Sequence, residues 1–146
     1  MQTAKSILTS KGSDVYSLSP DDSVYQAIEL MGEKHVGAVL VMSDDELVGI
    51  MSERDYARKV VLKGKLSRET PIKDIMSSPV FFVSPDFTMD QCMQVMTLRR
   101  VRHLPVIENG KVVGVLSIGD LVKTIIEEQA QTIEHLERYI TGKYPG

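Results

Sequence analysis

The apolar positions along the chain fall into two copies of one pattern. A short run rich in β-branched and aromatic residues, Val15–Leu18, precedes the polar Ser19–Asp21, and the succession recurs at Val80–Val83 and Ser84–Asp86. Such runs predict strands. Ser-Pro-Asp predicts a helix start, with serine as N-cap and proline in the first turn. Val24, Ala27, Ile28 and Met31 then recur at i, i+3, i+4 and i+7, matched by Met89, Cys92, Met93 and Met96. That is the spacing of one buried helix face. Two further apolar runs follow in each copy, Ala38–Met42 with Leu47–Met51 and Leu104–Ile107 with Val112–Leu116. They are joined by polar turns at Ser43–Glu46 and Glu108–Lys111, and Asn109-Gly110 is a strong hairpin signal because both residues tolerate positive φ. A second helix is expected from about Glu53 and about Ile118. The order β-α-β-β-α, twice over, predicts an α+β fold with two sheets.

The two copies are a tandem duplication. Sliding the sequence by 65 positions aligns Val15–Val61 with Val80–Ile126 without a gap, and twelve of the 47 pairs are identical. Units of about fifty residues bury too little surface to be stable alone, so the repeats are expected to pack sheet to sheet. Polar Lys63–Thr70 joins them, giving domains at 4–65 and 72–128 and a helical extension at 129–146. Ile72–Met76 is expected to form a turn of helix leading into the second repeat, as Ser6–Leu8 does for the first. In the last helix Val122, Ile126, Gln129, Ile133, Leu136 and Ile140 make a heptad-like seam. It either packs back on the repeats or forms a homodimer contact, and Gly142–Gly146 is expected to fray.

Composition narrows the function. Seventeen basic and twenty acidic side chains leave a net charge of −3, so no global field attracts nucleic acid. The single cysteine, Cys92, excludes an intramolecular disulfide, and its counterpart Ala27 marks it as a core residue. Apolar runs such as Val36–Met42 fall far short of the ~20 residues of a membrane span, and Met1–Gly12 lacks the apolar core of a signal peptide. A soluble, cytoplasmic protein is expected. His35, His103 and His135 show no metal-ligand spacing, no phosphate-binding glycine loop is present, and no constellation supports catalysis.

Two motifs carry candidate chemistry. Gly-φ-φ-Ser-x-x-Asp, with φ apolar, occurs at Gly49–Asp55 and Gly114–Asp120. Read structurally, it is a capping box, Ser52 or Ser117 bonding the helix start and Asp55 or Asp120 reaching back. Read functionally, free N–H groups at a helix start suit an anion, and a carboxylate suits a ribose diol. The second motif is the basic lead-in Arg99-Arg100-Val101-Arg102-His103, which is either a solvated helix end or a guanidinium and imidazole pair facing an anion. In the first repeat Gly37 and Ala38 replace Arg102 and His103, whereas Arg54 is matched only by Gly119. Two sites built this way are unequal.

The duplicated Ser-x-x-Asp, the Ser-Pro-Asp turns, Ile72-Lys73-Asp74-Ile75-Met76 and Arg102-His103-Leu104-Pro105-Val106 together resemble a tandem pair of cystathionine β-synthase (CBS) domains, a Bateman module, over residues 4–128. The tail Glu134–Pro145 resembles that of stand-alone pairs. The resemblance implies a non-enzymatic regulatory module binding an adenine ligand (AMP, ADP, ATP, NAD(H) or S-adenosylmethionine) between the domains, commonly as a homodimer. It implies that Asp55 and Asp120 hold the ribose and that Ser52, Ser117, Arg102 and His103 lie by the phosphates, with Arg54 as a substitute cation. The adenine would lie near Tyr16, Gly37, Ala38, Phe82 and Pro105. Neither a metal nor a membrane is implied. The alternatives are a protein-interaction module with vestigial clefts and, against the net charge, binding of single-stranded nucleic acid through Arg99, Arg100 and Arg102.

Overall fold

The computed structural model describes residues 2–141, with side chains described as far as residue 131. The first repeat contains β1 (Ser17–Leu18), α2 (Val24–Lys34), β2 (Ala38–Ser43), β3 (Glu46–Ser52) and α3 (Glu53–Asp55), which runs on in wider π-helical turns over Tyr56–Val61. It is preceded by α1 (Ala4–Lys11) and followed by a 3₁₀ turn at Ile72–Asp74. The second repeat contains α4 (Met89–Arg99), β4 (His103–Glu108), β5 (Lys111–Ser117) and α5 (Ile118–Thr141). The α+β class and its two sheets are as expected.

Both hairpins close through tight turns of positive φ. Asn109 and Gly110 have φ of 52° and 77°, and Asp44 and Asp45 have 51° and 66°. These are the residue types that adopt such turns most readily.

Two expectations need correction. Ser-Pro-Asp does not start the helices. It forms β-turns in which the Asp22 and Phe87 amides donate to the Ser19 and Ser84 carbonyls, with Pro20 and Pro85 in the second position that proline favours. The helices start four residues later, capped by Ser23 and Thr88, with Gln26 and Gln91 completing the boxes. A hydroxyl followed three residues on by glutamine satisfies two free amides at once, and it outcompetes the proline signal.

The second correction concerns Val80–Val83. Its counterpart β1 pairs in parallel with β2, whereas Val83 makes only one isolated bridge, to Val106. The cause is Pro105. In the first repeat the Leu40 amide donates to the Tyr16 carbonyl at 3.0 Å. Pro105 stands at the position of Leu40 and has no N–H to give.

Each repeat has its own core, and each core borrows a segment from outside the repeat. Val24, Ala27, Met31, Val39, Val41, Met51 and Val60 pack with Ile72 and Ile75 of the linker. Cys92, Met96, Leu104, Val106, Leu116 and Leu121 pack with Ala4, Ile7 and Leu8 of α1. The turn expected to lead into the second repeat therefore closes the first, and α1 closes the second.

The duplicated glycines permit this exchange. A Cβ at Gly114 would lie 2.6 Å from Leu8 Cδ2, and one at Gly49 would collide with the Met76 side chain. Strand alternation turns Leu40 away from Val39 and Val41, yet it is only 1% exposed. It lines the space between the repeats with Ile50 and Val115, where the sheets approach each other.

Helix α5 extends beyond the second repeat. Val122 and Ile126 of the expected seam are 42% and 59% exposed, so this part does not pack back on the repeats. Ile133, Leu136 and Ile140 lie beyond the described side chains, and 142–146 beyond the described residues. Among the described residues no helix is long and apolar enough to cross a membrane.

Candidate functional site

Two clefts open where the repeats meet, and each is composite. The larger, about 730 Å³, brings Ser52, Arg54 and Asp55 of the first repeat against Arg99, Arg100, Arg102 and His103 of the second. The smaller, about 210 Å³, brings Ser117 and Asp120 of the second repeat against Tyr16, His35, Gly37 and Ala38 of the first. Each aspartate thus faces the strand lead-in of the other repeat.

Both Ser-x-x-Asp elements are capping boxes. Asp55 Oδ2 accepts from the Ser52 amide at 2.9 Å and the Ser52 hydroxyl at 3.1 Å, and the Asp55 amide donates to Ser52 Oγ at 3.2 Å. The other oxygen, Oδ1, meets Lys59 Nζ at 3.2 Å and the Ser77 hydroxyl at 3.4 Å. A carboxylate offers about four lone-pair sites, so the two oxygens divide the labour. Oδ2 holds the helix start, while Oδ1 has exchangeable partners, one a long bond and the other a lysine whose side chain is 44% exposed. The Ser52 hydroxyl, expected beside phosphate, makes the cap, and Ser52 also lines the larger cleft.

Asp120 is held differently. Its Oδ2 accepts from the Ser117 amide at 2.8 Å and pairs with Lys11 Nζ at 2.9 Å, so the last residue of α1 reaches into the smaller cleft. Burial alone would push this carboxyl up, but the bonds from Lys11 and Ser117, with the lysine's charge, more than offset it and hold it below the ordinary range.

These positions decide the family. The CBS domain model matches residues 4–62 and again 72–127. The chain belongs to the CBS domain family. A mitochondrial CBS domain-containing protein of Arabidopsis thaliana is 36% identical over 97% of this chain and 73% of its own length. The structure of a protein with CBS domains from Burkholderia ambifaria is 47% identical, with a TM-score of 0.85 over 88% of this chain and 96% of that one. A CBS pair crystallised with 5′-methylthioadenosine and S-adenosylmethionine is 20% identical with a TM-score of 0.79, a likeness of fold.

Within this CBS pair the wall between the clefts is shared. Gly37, Ile50 and His103 line both. A Cβ on Gly37 would lie 3.3 Å from His103 Nε2, so the glycine at the position equivalent to Arg102 leaves room for the imidazole. The two lead-ins therefore differ where they meet at this wall. Burial pushes the His103 imidazole below its ordinary range, the Asp120 carboxylate pulls against that, and Lys11 and Arg102 reinforce it.

The aromatic residues also repeat. Lys34 Nζ lies 5.6 Å from the Tyr16 ring centre and Arg99 Cζ lies 4.8 Å from that of Phe81. Tyr16 lines the smaller cleft and Phe81 the larger. Phe82, named from the sequence for the adenine environment, is 55% exposed and lines neither cleft, and neither does buried Pro105. In the 65-residue register Phe81, not Phe82, matches Tyr16, a signal present in the sequence. Arg58, Lys59 and the Ser77–Pro79 wall of the larger cleft, with Lys11 and Asp14 of the smaller, were not named from the sequence. Among the described residues no cluster of histidine, cysteine and carboxylates is arranged to hold a metal.

Proposed function

We propose that this CBS pair is an adenine-ligand sensor without chemistry of its own, whose clefts bind an adenosine-containing molecule and change the module's shape or partner affinity. The observation that carries this is the composition of each cleft. A half-buried carboxylate, anchored through one oxygen by its helix cap, faces an aromatic-flanked lead-in from the opposite repeat. In the larger cleft Asp55 Oδ1 would take the ribose hydroxyls in exchange for Ser77 and Lys59, with Arg54, Arg102 and His103 at the phosphates. In the smaller cleft Asp120 would hold the ribose beside Tyr16, Gly37 and Ala38. A ligand spanning two repeats stabilises the arrangement it fits best, and a switch requires that difference in affinity. The exposed Val122 and Ile126 would serve a homodimer contact.

Calorimetric titration of AMP, ATP, NADH and S-adenosylmethionine into wild type, Asp55→Ala and Asp120→Ala tests the reading. Removing charge-assisted hydrogen bonds of about 1.5–3 kcal/mol lowers affinity roughly 10- to 150-fold at the altered cleft. Losing the cap costs about 1 kcal/mol of stability, so folding is scored separately by thermal melting. One observation favours the alternative, an interaction module with vestigial clefts: each aspartate is already satisfied as a helix cap. No heat from any ligand with folded protein would establish that alternative.

A further inference from the structure

The clefts differ in charge as well as in size. The larger is lined by six cations, Arg54, Arg58, Lys59, Arg99, Arg100 and Arg102, against two carboxylates, Glu53 and Asp55. The smaller has one cation, Lys11, against Asp14 and Asp120, with His35 and His103 at its edges. Lys11 is already paired with Asp120 at 2.9 Å, and Gly37 stands where the larger cleft has Arg102. The larger cleft therefore keeps guanidinium groups beyond those its own carboxylates can neutralise, and the smaller keeps none.

A concave site lined by one sign of charge concentrates the opposite ion, and arginine pairs with phosphate through two parallel hydrogen bonds. The volumes agree with the charges. About 730 Å³ is within the roughly 300–1,000 Å³ of ordinary small-molecule sites, with room for a phosphate chain beyond a nucleoside. About 210 Å³ lies below that range and offers far less room beyond a nucleoside.

We propose that the two clefts divide adenine ligands by charge. The larger takes a nucleoside di- or triphosphate, and the smaller takes an adenosyl compound without net negative charge. This rests on the adenine-ligand reading and adds which class each cleft accepts. Arg54 and Arg102, brought together from opposite repeats, are the specificity-determining pair. Phosphates drawn to both would tie the repeats together, as a monophosphate reaching one of them does not.

The test is a series of titrations with adenosine, AMP, ADP, ATP and S-adenosylmethionine at low and high salt. Wild type is compared with Arg54→Gln/Arg102→Gln, Asp55→Asn and Asp120→Asn, each checked for folding by thermal melting. Affinity should rise with each added phosphate, ATP exceeding AMP by ~10-fold or more, and salt should compress that ladder. The double arginine variant should flatten the ladder and leave adenosine unchanged. Asp55→Asn should weaken ATP, and Asp120→Asn should weaken S-adenosylmethionine. Equal affinity for AMP and ATP, or ATP binding sensitive to Asp120→Asn rather than Asp55→Asn, overturns the division by charge while leaving the sensor reading intact. Absence of binding by all five overturns both. A single-stranded oligonucleotide that binds more tightly than ATP, indifferent to Asp55→Asn, overturns it in favour of a nucleic-acid surface.

Discussion

The larger and smaller clefts descend from the same repeated segments, yet one is a basic basin and the other holds a nearly neutralised carboxylate. The capping boxes, the aromatic–cation pairs and the glycines that admit a borrowed segment are all duplicated. What differs lies in the lead-ins and the exchanged elements: Arg102 against Gly37, His103 against Ala38, Arg54 against Gly119, and Lys11 reaching Asp120 from α1. The scaffold is the same in both repeats, and the lead-ins differ where Gly37 and His103 meet at the shared wall.

The largest effect follows from breaking the exchange that shapes each cleft. Ile72→Ala in the first core and Leu8→Ala in the second should each cost about 2–5 kcal/mol, the usual range for a buried aliphatic truncated to alanine. Chemical denaturation measures this. Leu8→Ala should also loosen α1 and disturb ligand binding only in the smaller cleft, because Lys11 is carried there, whereas Ile72→Ala should disturb the larger.

Next in size is an attempt to make the clefts alike. Gly37→Arg installs the counterpart of Arg102 and displaces the His103 ring. It should raise the smaller cleft's affinity for AMP by about tenfold, the gain of one charge-assisted phosphate contact of ~1.5 kcal/mol. Titration of an Asp55→Asn background isolates that cleft.

Smaller still is the loss of the Lys11–Asp120 pair. Lys11→Met should cost up to about 1 kcal/mol at neutral pH, as partly exposed ion pairs do. Because the folded Asp120 carboxyl lies below its ordinary value, its contribution is present above about pH 4 and is lost as pH falls through the folded value. Melting curves should therefore differ at pH 7 and converge in acid.

The smallest effect is on the wall itself. His103 is held below its ordinary range while facing Asp120, Lys11 and Arg102, with Glu53 also beside Gly37. The unfolded chain takes up that proton first. Stability is therefore complete above about pH 6.5 and declines as pH falls from there toward the folded value. His103→Gln should remove this slope and leave the Asp120 slope at lower pH.

Much of this was legible in the sequence because it is carried by local signals repeated twice. The 65-residue register, the Asn109-Gly110 hairpin and the Ser-x-x-Asp caps all rest on neighbours in the chain. What was illegible depends on residues distant in sequence. The exchange was hidden because Ser6–Leu8 and Ile72–Met76, although matched in the sequence as equivalent turns, carry no local signal of which repeat's core they enter. The missing strand at Val80–Val83 required knowing that position 105 must donate to position 81. The pairing of Asp55 with Arg102 across the repeats follows from the packing alone, and Lys11 carries no motif. Phe82 was named where the register already pointed to Phe81.

The most direct test of the account is a crystal structure of the protein grown with ATP and S-adenosylmethionine together. Adenosine is expected in both clefts, each ribose on its aspartate, and the triphosphate between Arg54 and Arg102. Clefts without either molecule, with Asp55 and Asp120 engaged only in their helix caps at saturating ligand, would contradict it.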